Sequence, residues 1–486
     1  MDCDVIVAGA GPVGLMLACE LRLGGASVLV LEREAEPDRE LQAGAMGGRS
    51  VNAPTADAFH RRGLLAEVRK TALWWFMPGQ PIDPDAFVGH FAGLPLRASR
   101  LDFTAPDPDA SPHGGGAVPL LDLREILTAR ALSLGAEIRR ATPLTGLAAG
   151  AGAVTVRAGD ADLTAGWLVG CDGGRSTVRR LAGIEFPGTD AEFTGRIATV
   201  TLSDPAALPL CGWTRTAAGS YTHGPAGRVH VVEYGPVPAD RSAPVTAAEM
   251  QSSLRRVTGV PVEVTGVRTG TRYTDATRQA VTYRAGRVLL AGDAAHIHSP
   301  AGGQGLNLGI GDAFNLGWKL AATVAGWAPA GLLDTYSAER HPIGAWVQGW
   351  SDAQTALGRP DRRSEALRGV VRDLLDTPQG ATYVLKQISG TGPGHDLPGG
   401  GPLAGRRAPE LTLPDGTSLA SHGEQGRPLL VVTGDAARRA AAPWSERLIT
   451  LDGPADLLIR PDGIVAWAGD GDLASALATW LGPPRG

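Results

Sequence analysis

The fold is decided by residues 4–14, DVIVAGAGPVG, which precede a run with helical apolar spacing and then residues 27–32, SVLVLE. This order predicts a strand, a glycine turn, a helix and a second strand. In such a unit Gly9 allows the tight turn, Gly11 lets the backbone approach a pyrophosphate, and Gly14 lets the helix pack against the strand. The pattern predicts a dinucleotide-binding unit; the alternative is an ordinary β-α-β turn.

The ends of this unit support the dinucleotide interpretation. Pro12 and Val13 open the helix, whose free N–H groups and dipole favour a bound phosphate. Glu32 ends the second strand about 20 residues later, where an acid can accept hydrogen bonds from ribose hydroxyls. We expect these residues, together with the adjacent Arg33, to contact the cofactor.

Composition narrows the class of protein. The 486 residues carry a formal net charge of −5, which argues against a nucleic-acid partner. The four cysteines have neither the spacing of a metal site nor that of a disulfide framework, so we expect a cytoplasmic protein without a metal. The chain enters a strand at once and has no apolar run of the roughly 18 residues that span a membrane. We therefore expect no signal peptide and no membrane association.

Two later blocks carry the same kind of signal as the opening stretch. Asp172-Gly173 follows an apolar strand pattern, and Gly292-Asp293 follows another that begins at Arg287. An acid at the carboxyl end of a strand points into the crevice where doubly wound sheets bind ligands. Because Asp172-Gly173 alone would be an ordinary strand-to-turn signal, the prediction of one shared cofactor site rests on all three blocks together.

A glycine loop follows the third block. Residues 299–305 read SPAGGQG, and a helical pattern then continues to Val324. Glycines let backbone N–H groups approach a ring closely, and the helix start adds a positive dipole end. The loop is predicted to stabilise negative charge on a bound ring, as an oxyanion hole does; the alternative is a flexible turn.

The three blocks, in this order, resemble those of the class A flavoprotein monooxygenases of the para-hydroxybenzoate hydroxylase fold, and most closely the branch that oxidises aromatic polyketides. The resemblance covers about residues 1–390. It implies that the first block holds the FAD pyrophosphate, that the second lies between the FAD and NAD(P)H sites, and that the third meets the ribityl chain and pyrophosphate. It also implies that the flavin ring is lined by Pro300, Gly302, Gly303, Gln304, Gly305, Leu306 and Asn307, of which the first five act in catalysis.

The resemblance also assigns two arginines. Arg49 lies where the family places an arginine near the pyrophosphate or nicotinamide, and Arg124 matches a position that often reaches FAD, with a surface arginine as the alternative. Two positions depart from the family. Gln42 stands where an arginine is common, and Leu120 replaces a frequent glutamine. We therefore expect fewer phosphate contacts at this end.

The expected fold class is α/β. An FAD-binding doubly wound domain would comprise residues 1–72, 105–182 and 280–390, and an inserted antiparallel sheet for the substrate would comprise 73–104 and 183–279. Strand patterns dominate the second of these stretches, and one helix is announced there by the capping box Thr246-Ala-Ala-Glu249. A thioredoxin-like C-terminal domain is expected at 400–486. It contains no cysteine, which excludes disulfide exchange and favours a structural role.

The inserted sheet is expected to line the substrate cavity. Its candidate residues are polar or aromatic: Trp213, Tyr221, His223, His230 and Tyr234. Alternate residues of a strand face opposite sides, so each of these side chains has about an even chance of facing the cavity. His296 and His298 flank the third block, where packing is a more frequent role than catalysis, and the sequence identifies no general base.

The function implied by the resemblance is hydroxylation of a polycyclic aromatic phenol or quinone from a polyketide pathway. NADPH, with NADH as the alternative, would reduce FAD, O2 would form a flavin C4a-hydroperoxide, and this group would transfer oxygen to the ring. Two alternatives stay open: Baeyer–Villiger oxygen insertion, and a non-catalytic flavoprotein that sequesters a reactive intermediate. The expected assembly is a monomer or a homodimer.

Overall fold

The computed structural model of the chain describes residues 1–74, 83–102, 111–238, 240, 243–392, 394–397, 401–469 and 471–484. Parts of the predicted inserted layer at 73–104, including the aromatic residues Trp75, Phe76 and Phe103, lie outside the described residues. Within these ranges, no helix has the length and apolar character required to cross a bilayer.

The strands belong to several sheets. In chain order they are β1 (Cys3–Ala8), β2 (Val28–Leu31), β3 (Gly48–Val51), β4 (Leu73–Trp74), β5 (Phe87–Phe91), β6 (Leu94–Arg97), β7 (Gly116–Pro119), β8 (Glu137–Arg139), β9 (Leu144–Ala149), β10 (Val154–Ala158), β11 (Ala161–Gly170), β12 (Gly188–Thr189), β13 (Phe193–Leu202), β14 (Cys211–Thr216), β15 (Gly219–His223), β16 (Arg228–Tyr234), β17 (Val264–Thr274), β18 (Thr277–Gln279), β19 (Arg284–Ala285), β20 (Val288–Leu290), β21 (His296–Ile297), β22 (Leu429–Val432), β23 (Ile449–Asp452), β24 (Leu457–Ile459) and β25 (Val465–Ala468).

The α-helices cover the faces of these sheets. In chain order they are α1 (Pro12–Leu23), α2 (Arg39–Ala43), α3 (Ala53–Arg61), α4 (Leu65–Thr71), α5 (Leu120–Ser133), α6 (Thr177–Leu181), α7 (Ala247–Thr258), α8 (Gly305–Val324), α9 (Thr335–Gly358), α10 (Arg362–Leu375), α11 (Pro378–Ile388), α12 (Asp435–Ala441) and α13 (Leu473–Leu481).

The first sheet has the order β19-β20-β11-β1-β2-β8, with β10 and β9 added beside β11. Strands β1, β2, β11 and β20 run parallel where they pair. The register aligns Ala8 with Gly170 and Gly170 with Leu290, so three strands end side by side. Because a polar block follows each of these ends, the sheet delivers all three blocks to one edge.

Helix α1 follows its sequence pattern. Pro12 occupies the first helical turn, where its missing N–H costs nothing, and Gly24 forms the C-cap. Its face toward α8 is tightly packed, since a Cβ placed on Gly317 would lie 2.3 Å from Cβ of Glu20. The predicted strand–turn–helix–strand unit is confirmed.

The second sheet is antiparallel, with the order β14-β15-β16-β13-β17. Helix α7 covers one of its faces, where Met250 and Leu254 pack against Val229 and Val231. Only one of the two hydrogen bonds of the predicted capping box forms among the described residues. Thr246 Oγ1 accepts from the Glu249 N–H at 3.1 Å, whereas the Glu249 carboxylate pairs with arginines of the sheet. Helix α7 does not cover the opposite face of the sheet, which we call the free face.

The C-terminal part forms a small α/β unit of its own. Its sheet has the order β23-β22-β24-β25, with β22 and β23 parallel and the last two strands antiparallel. The sequence predicts strands here from apolar runs at 429–432, 448–451, 457–459 and 464–467, and β22 to β25 match these runs to within one residue. Helices α10 and α11, in contrast, occupy a stretch for which the sequence predicted no element. Several of their apolar residues, such as Leu367 and Val370, are exposed, so apolar positions there do not mark a buried face.

Buried ion pairs join this unit to the helices of the first part. Glu339 of α9 accepts from Lys319 of α8 at 2.8 Å and from Arg460 at 2.7 Å, and Arg460 also contacts Asp462. All four side chains are at most 4% exposed. Burial and the nearby Arg460 charge lower the pKa of Lys319 to about 7, whereas the two cations hold the pKa of Glu339 below its ordinary value.

Candidate active site

The three blocks meet through backbone contacts. A Cβ on Gly9 would lie 2.4 Å from the carbonyl oxygen of Cys171, and a Cβ on Gly14 would lie 2.1 Å from the carbonyl oxygen of Gly9. The Val13 side chain lies 3.1 Å from the Cβ position of Gly292, which brings the first and third blocks together. Glycine is therefore required at these positions by the packing of the protein itself.

Gly11 differs from its neighbours. Among the described residues, a Cβ on Gly11 would meet no atom within 4 Å, and its backbone (φ −76°, ψ 173°) is open to any residue. No contact within the described part of the chain therefore requires glycine at the start of α1. The cradle thus fits a pyrophosphate held against backbone N–H groups, which is what FAD would place there.

The ribose end of the predicted site gathers charged side chains. Glu32 Oε2 accepts from the Ala10 N–H at 2.9 Å and Oε1 accepts from the Glu34 N–H at 3.1 Å, which leaves part of the roughly four acceptor positions of a carboxylate. Burial lowers the pKa of Arg124, and the negative charge of the nearby Glu32 acts in the opposite direction. Arg140, which the sequence did not single out, has a buried Nη1 that makes no hydrogen bond to any described residue. Arg33 instead is exposed and pairs with Glu34.

Asp172 acts on its own backbone. Its Oδ2 accepts from the N–H groups of Thr177 at 2.7 Å and Val178 at 3.1 Å, which caps helix α6. Its Oδ1 is buried and has no partner among the described residues. Gly173 takes φ +80° in the turn between Asp172 and α6. One carboxylate oxygen therefore shapes the turn, and the other makes no hydrogen bond within the described part of the chain.

The third block is held from below by Asp312 of α8. Asp312 Oδ2 accepts from the Gly292 N–H at 3.0 Å and contacts His296 Nε2 at 2.7 Å, and Oδ1 accepts from Arg340 Nε at 2.7 Å. The interactions with His296 and Arg340 lower the pKa of Asp312 despite its complete burial. His296 thus has a hydrogen-bonding role under the turn, whereas the Asp293 side chain is exposed.

The loop between Pro300 and Gly305 is kept open by its glycines. Gly302 and Gly303 have φ of +82° and +65°, and a Cβ on Gly302 would lie 2.6 Å from Gln354 Nε2. Asn307 fixes the loop against β3, since its Nδ2 donates to Ser50 O at 3.1 Å and its Oδ1 accepts from the Asn52 N–H at 2.9 Å. Gln304 Nε2 donates to Ile388 O at 3.2 Å, away from the loop backbone, and Leu306 is half-buried.

Arg228 of the second sheet reaches the turn that precedes β3. Arg228 Nη2 donates to Ala45 O at 3.2 Å, and its guanidinium packs where Gly47 lacks a side chain. Arg49 is near enough to Arg228 and Asp293 that both act on its pKa, which burial lowers most. Arg228 therefore brings a cation to the turn near which Gln42, buried and with an unpaired Oε1, replaces the arginine of the family. The sequence signal that could have found Arg228 is its position two residues before His230, because residues two apart on a strand face the same side.

The free face of the second sheet carries a chain of rings. Ring centroids are 4.8 Å apart for Trp213 and His230, 5.2 Å for His230 and Tyr273, and 5.6 Å for Phe193 and Tyr234. His230 Nε2 and the Tyr273 hydroxyl form a hydrogen bond. Burial lowers the pKa of His230 to about 3 and raises that of Tyr234 to about 12, so both stay neutral near pH 7.

Tyr221 and His223 lie on the opposite face. In the register of β15 and β16 they pair with Val231 and Val229, whose side chains pack under α7. Tyr221 packs against that core, and His223 Nδ1 contacts Leu208 O at 2.6 Å. The structure therefore brings three of the five predicted substrate residues together and separates these two from them.

A group of possible metal ligands occurs elsewhere among the described residues. Ligand atoms of His60, His113 and Glu410 lie within 4.8 Å of one another. Arg61 and Arg407 line the same small cavity, and their positive charges disfavour a bound cation. We assign no metal to it.

Two family models match the chain. The model described as the FAD binding domain matches residues 2–351, and the model described as the aromatic-ring hydroxylase C-terminal domain matches residues 401–484. The fit of the glycine turn to a pyrophosphate and the convergence of the three blocks agree with the first of these matches.

Similar proteins cover the whole chain. The 12-dehydrotetracycline 5-monooxygenase/anhydrotetracycline 6-monooxygenase of Streptomyces rimosus is 41% identical over 529 residues, covering 100% of both chains. The structure of OxyS anhydrotetracycline hydroxylase from Streptomyces rimosus matches with a TM-score of 0.86 at 39% identity and full coverage of both chains. A dialkyldecalin synthase of Streptomyces rugosporus is 37% identical and covers 99% of this chain and 100% of its own. The chain therefore belongs to the class A FAD-dependent monooxygenases, in the branch that includes hydroxylases of aromatic polyketides.

Proposed function

We propose that the enzyme hydroxylates a polycyclic aromatic phenol or quinone of a polyketide pathway, with FAD, NAD(P)H and O2. The observation that carries the proposal is the chain of neutral rings from Trp213 to Tyr234 on the free face of the second sheet. Such a face suits a planar aromatic compound, since offset and edge-on ring contacts contribute about 0.5–1.5 kcal/mol beyond burial. The names of the relatives support the same substrate class.

FAD would be held mostly by backbone. We assign its pyrophosphate to the turn at Gly11 and the start of α1 at Pro12 and Val13, and its ribose to Glu32 with Arg124 nearby. The exposed Asp293 carboxylate is assigned to the ribityl hydroxyls. Reduced FAD supplies the oxygen-activating chemistry when bound, and the protein supplies orientation and electrostatics.

The loop from Pro300 to Gly305 is assigned to the flavin ring. Its glycine backbone and the start of α8 would stabilise negative charge on the ring by N–H donors and the helix dipole. His230, Tyr273 and Tyr234 are assigned to the substrate as hydrogen-bonding groups. Burial lowers the pKa of His230 to about 3, which makes this imidazole a weak proton acceptor, and it raises the pKa of Tyr273 and Tyr234, which keeps both hydroxyls protonated; none is therefore assigned the role of a general base.

The remaining expectations also stand as proposals. They are a preference for NADPH with NADH as the second choice, a cytoplasmic location, a monomeric or homodimeric state, and the domain boundaries given from the sequence. The four cysteines are free, which supports a reducing compartment.

The test is turnover with defined substrates. FAD-loaded protein is mixed with NADPH and a panel of tetracycline-type and angucycline-type aromatics, and flavin bleaching, O2 uptake and product structure by NMR are followed. We expect an aromatic ligand to accelerate bleaching and the product to carry a new ring hydroxyl. Oxygen inserted beside a ketone would identify a Baeyer–Villiger enzyme instead.

A second candidate is a role without oxygenation. It is favoured by the similarity to a dialkyldecalin synthase, whose name is not that of an oxygenase. In that case FAD would bind, but no aromatic ligand would accelerate its reduction by NADPH. Acceleration by any member of the panel excludes this candidate.

A further inference from the structure

Helix α10 carries apolar side chains on its outer side. Leu367, Val370 and Leu374 are 54%, 57% and 57% exposed. Their spacing of three and four residues places them on one face of the helix, and we call this stripe the α10 face. Single exposed apolar residues are ordinary on a protein surface, whereas a contiguous apolar stripe is typical of a surface that binds another molecule.

The opposite side of α10 is anchored in the fold. Leu375 belongs to a hydrophobic cluster that also contains Phe91 of β5 and Leu357 of α9. Arg368 is buried, and its Nη1 donates to Ala92 O at 2.6 Å. The helix is therefore held from one side by packing and a hydrogen bond, and it presents the α10 face outward on a fixed element.

Charged side chains of opposite sign flank the two ends of the α10 face. Arg363 lies one turn before its first apolar residue, and Asp373 lies three residues after Val370. Neither side chain forms an ion pair with any residue that the structure describes, whereas the nearby Glu365 pairs with Arg215 at 2.7 Å. A cation near the start of a helix and an anion near its end both oppose the helix dipole, so the helix alone does not favour this order.

The order of charges is complementary to itself when two copies of α10 lie antiparallel. A two-fold axis at the midpoint between Arg363 and Asp373 would place each of these side chains opposite the other on the second copy. The same axis would set Val370 opposite Ala366, which is exposed and small. Gly369 also lies near this midpoint, and a Cβ there would meet no described atom within 4 Å. The small residues near the axis therefore allow two helices to approach closely.

We propose that the α10 face is the interface of a homodimer, in which two copies of this helix pack antiparallel across a two-fold axis. The apolar stripe supplies the buried centre, and two ion pairs between Arg363 and Asp373 fix the register at the rim. A second copy of the chain is the favoured occupant because the face carries both of the charges that its own complement requires. The proposal selects one of the two expected assemblies and does not depend on the reaction.

Sedimentation velocity of the FAD-loaded full chain tests the proposal. The mass is followed from about 1 to 100 µM, because the dimer fraction depends on protomer concentration. We expect wild type to reach the dimer mass, and Val370→Asp to raise the dimer Kd at least about tenfold, since the interface would then bury unpaired carboxylates. Leu132→Asp on α5 is the matched control, because Leu132 is also an exposed apolar residue of a helix, and it should leave the dimer unchanged. A wild-type monomer throughout the range, or equal effects of the two variants, would overturn the proposal.

Charge exchange tests the antiparallel register. Arg363→Asp and Asp373→Arg each place like charges opposite one another twice in a homodimer, so each should raise the dimer Kd at least about tenfold. An equimolar mixture of the two variants should dimerise as wild type does, because the two acids of one protomer then meet the two arginines of its partner. Both side chains are exposed, so the variants should fold, which circular dichroism checks. Single variants that dimerise normally, or a mixture that stays monomeric, would overturn the proposal.

Discussion

The glycine turn at the end of β1 is fixed by backbone packing, whereas the ring-bearing face of the second sheet is fixed by side chains. At the turn, added Cβ atoms on Gly9 and Gly14 would overlap carbonyl oxygens at 2.4 and 2.1 Å. On the sheet, Trp213, His230 and Tyr273 hold one another by ring contacts and one hydrogen bond. Backbone packing cannot change without loss of the fold, whereas side chains on a sheet can be exchanged one at a time.

The difference explains how one family acts on unlike molecules. The relatives carry names as different as a tetracycline monooxygenase and a dialkyldecalin synthase at 41% and 37% identity to this chain. Because Gly9 and Gly14 tolerate no added atom, the turn keeps its shape, whereas a sheet face that tolerates exchange admits new substrates.

The largest effect is expected from Gly14→Ala, which tests the backbone packing of the turn. Its methyl group would lie 2.1 Å from a backbone oxygen, which no rotamer change relieves, and overpacking should lower the free energy of unfolding by about 3 kcal/mol. Urea unfolding of the FAD-free protein, followed by circular dichroism, measures the loss. Gly11→Ala is the matched control and should stay within about 0.5 kcal/mol of wild type; equal losses in both variants would show that the contact at Gly14 has no special weight.

Glu32→Ala should have the next largest effect, on FAD affinity. A hydrogen bond to a charged acceptor contributes about 1.5–3 kcal/mol, or about ten- to hundredfold in Kd. Fluorescence titration of the FAD-free protein measures the change. Glu34→Ala serves as the control because that side chain is exposed, and an unchanged Kd in a folded Glu32→Ala protein would mean that the ribose is held by other groups.

Gly11→Ala separates cofactor binding from folding. Its methyl group meets no protein atom, so the fold should persist while the methyl group holds the pyrophosphate away from the backbone. We expect the Kd for FAD to rise at least about tenfold, or about 1.4 kcal/mol. Normal FAD affinity in this variant would remove the pyrophosphate from this turn.

The smallest expected effect tests the sheet through pH. The pKa of His230 falls from 6.5 to about 3 on folding because of burial, so between these values the unfolded chain binds more protons and acid destabilises the fold. Between pH 6.5 and pH 5.5 His230 should account for about 1 kcal/mol of lost stability. His230→Gln should lose that much less over the interval than wild type, and parallel pH profiles of the two proteins would contradict the burial of a neutral histidine.

The sequence predicted the glycine turn and its helix well because their signals are local. Gly9 takes φ +106° in the tight turn and Gly14 allows the close packing that their spacing indicates, whereas the pyrophosphate contact at Gly11 stays a prediction. Helix α8 ends at the predicted Val324. The apolar runs of the C-terminal unit are short and bounded by turns, which is why its strands were found to within one residue.

The substrate side was less predictable because it depends on register. His230 and Tyr221 are both aromatic residues on neighbouring strands, yet pairing places them on opposite faces. Arg228 acts at a turn that lies about 180 residues earlier in the chain, where it packs against Gly47. The support of Gly292 by Asp312, 20 residues later in the chain, likewise arises only when the turn and helix α8 meet.

The buried ion pairs between α8, α9 and the C-terminal unit limit how this protein can be recombined. Removing one partner of a buried pair costs about 3–5 kcal/mol, because the remaining charge has no compensation. A chimera that took its C-terminal unit from a relative would therefore need Arg460 and Asp462 to arrive with residues that match Lys319 and Glu339. The two sides of this junction therefore have to be inherited together. Cut points for recombination should not separate Lys319 and Glu339 from Arg460 and Asp462.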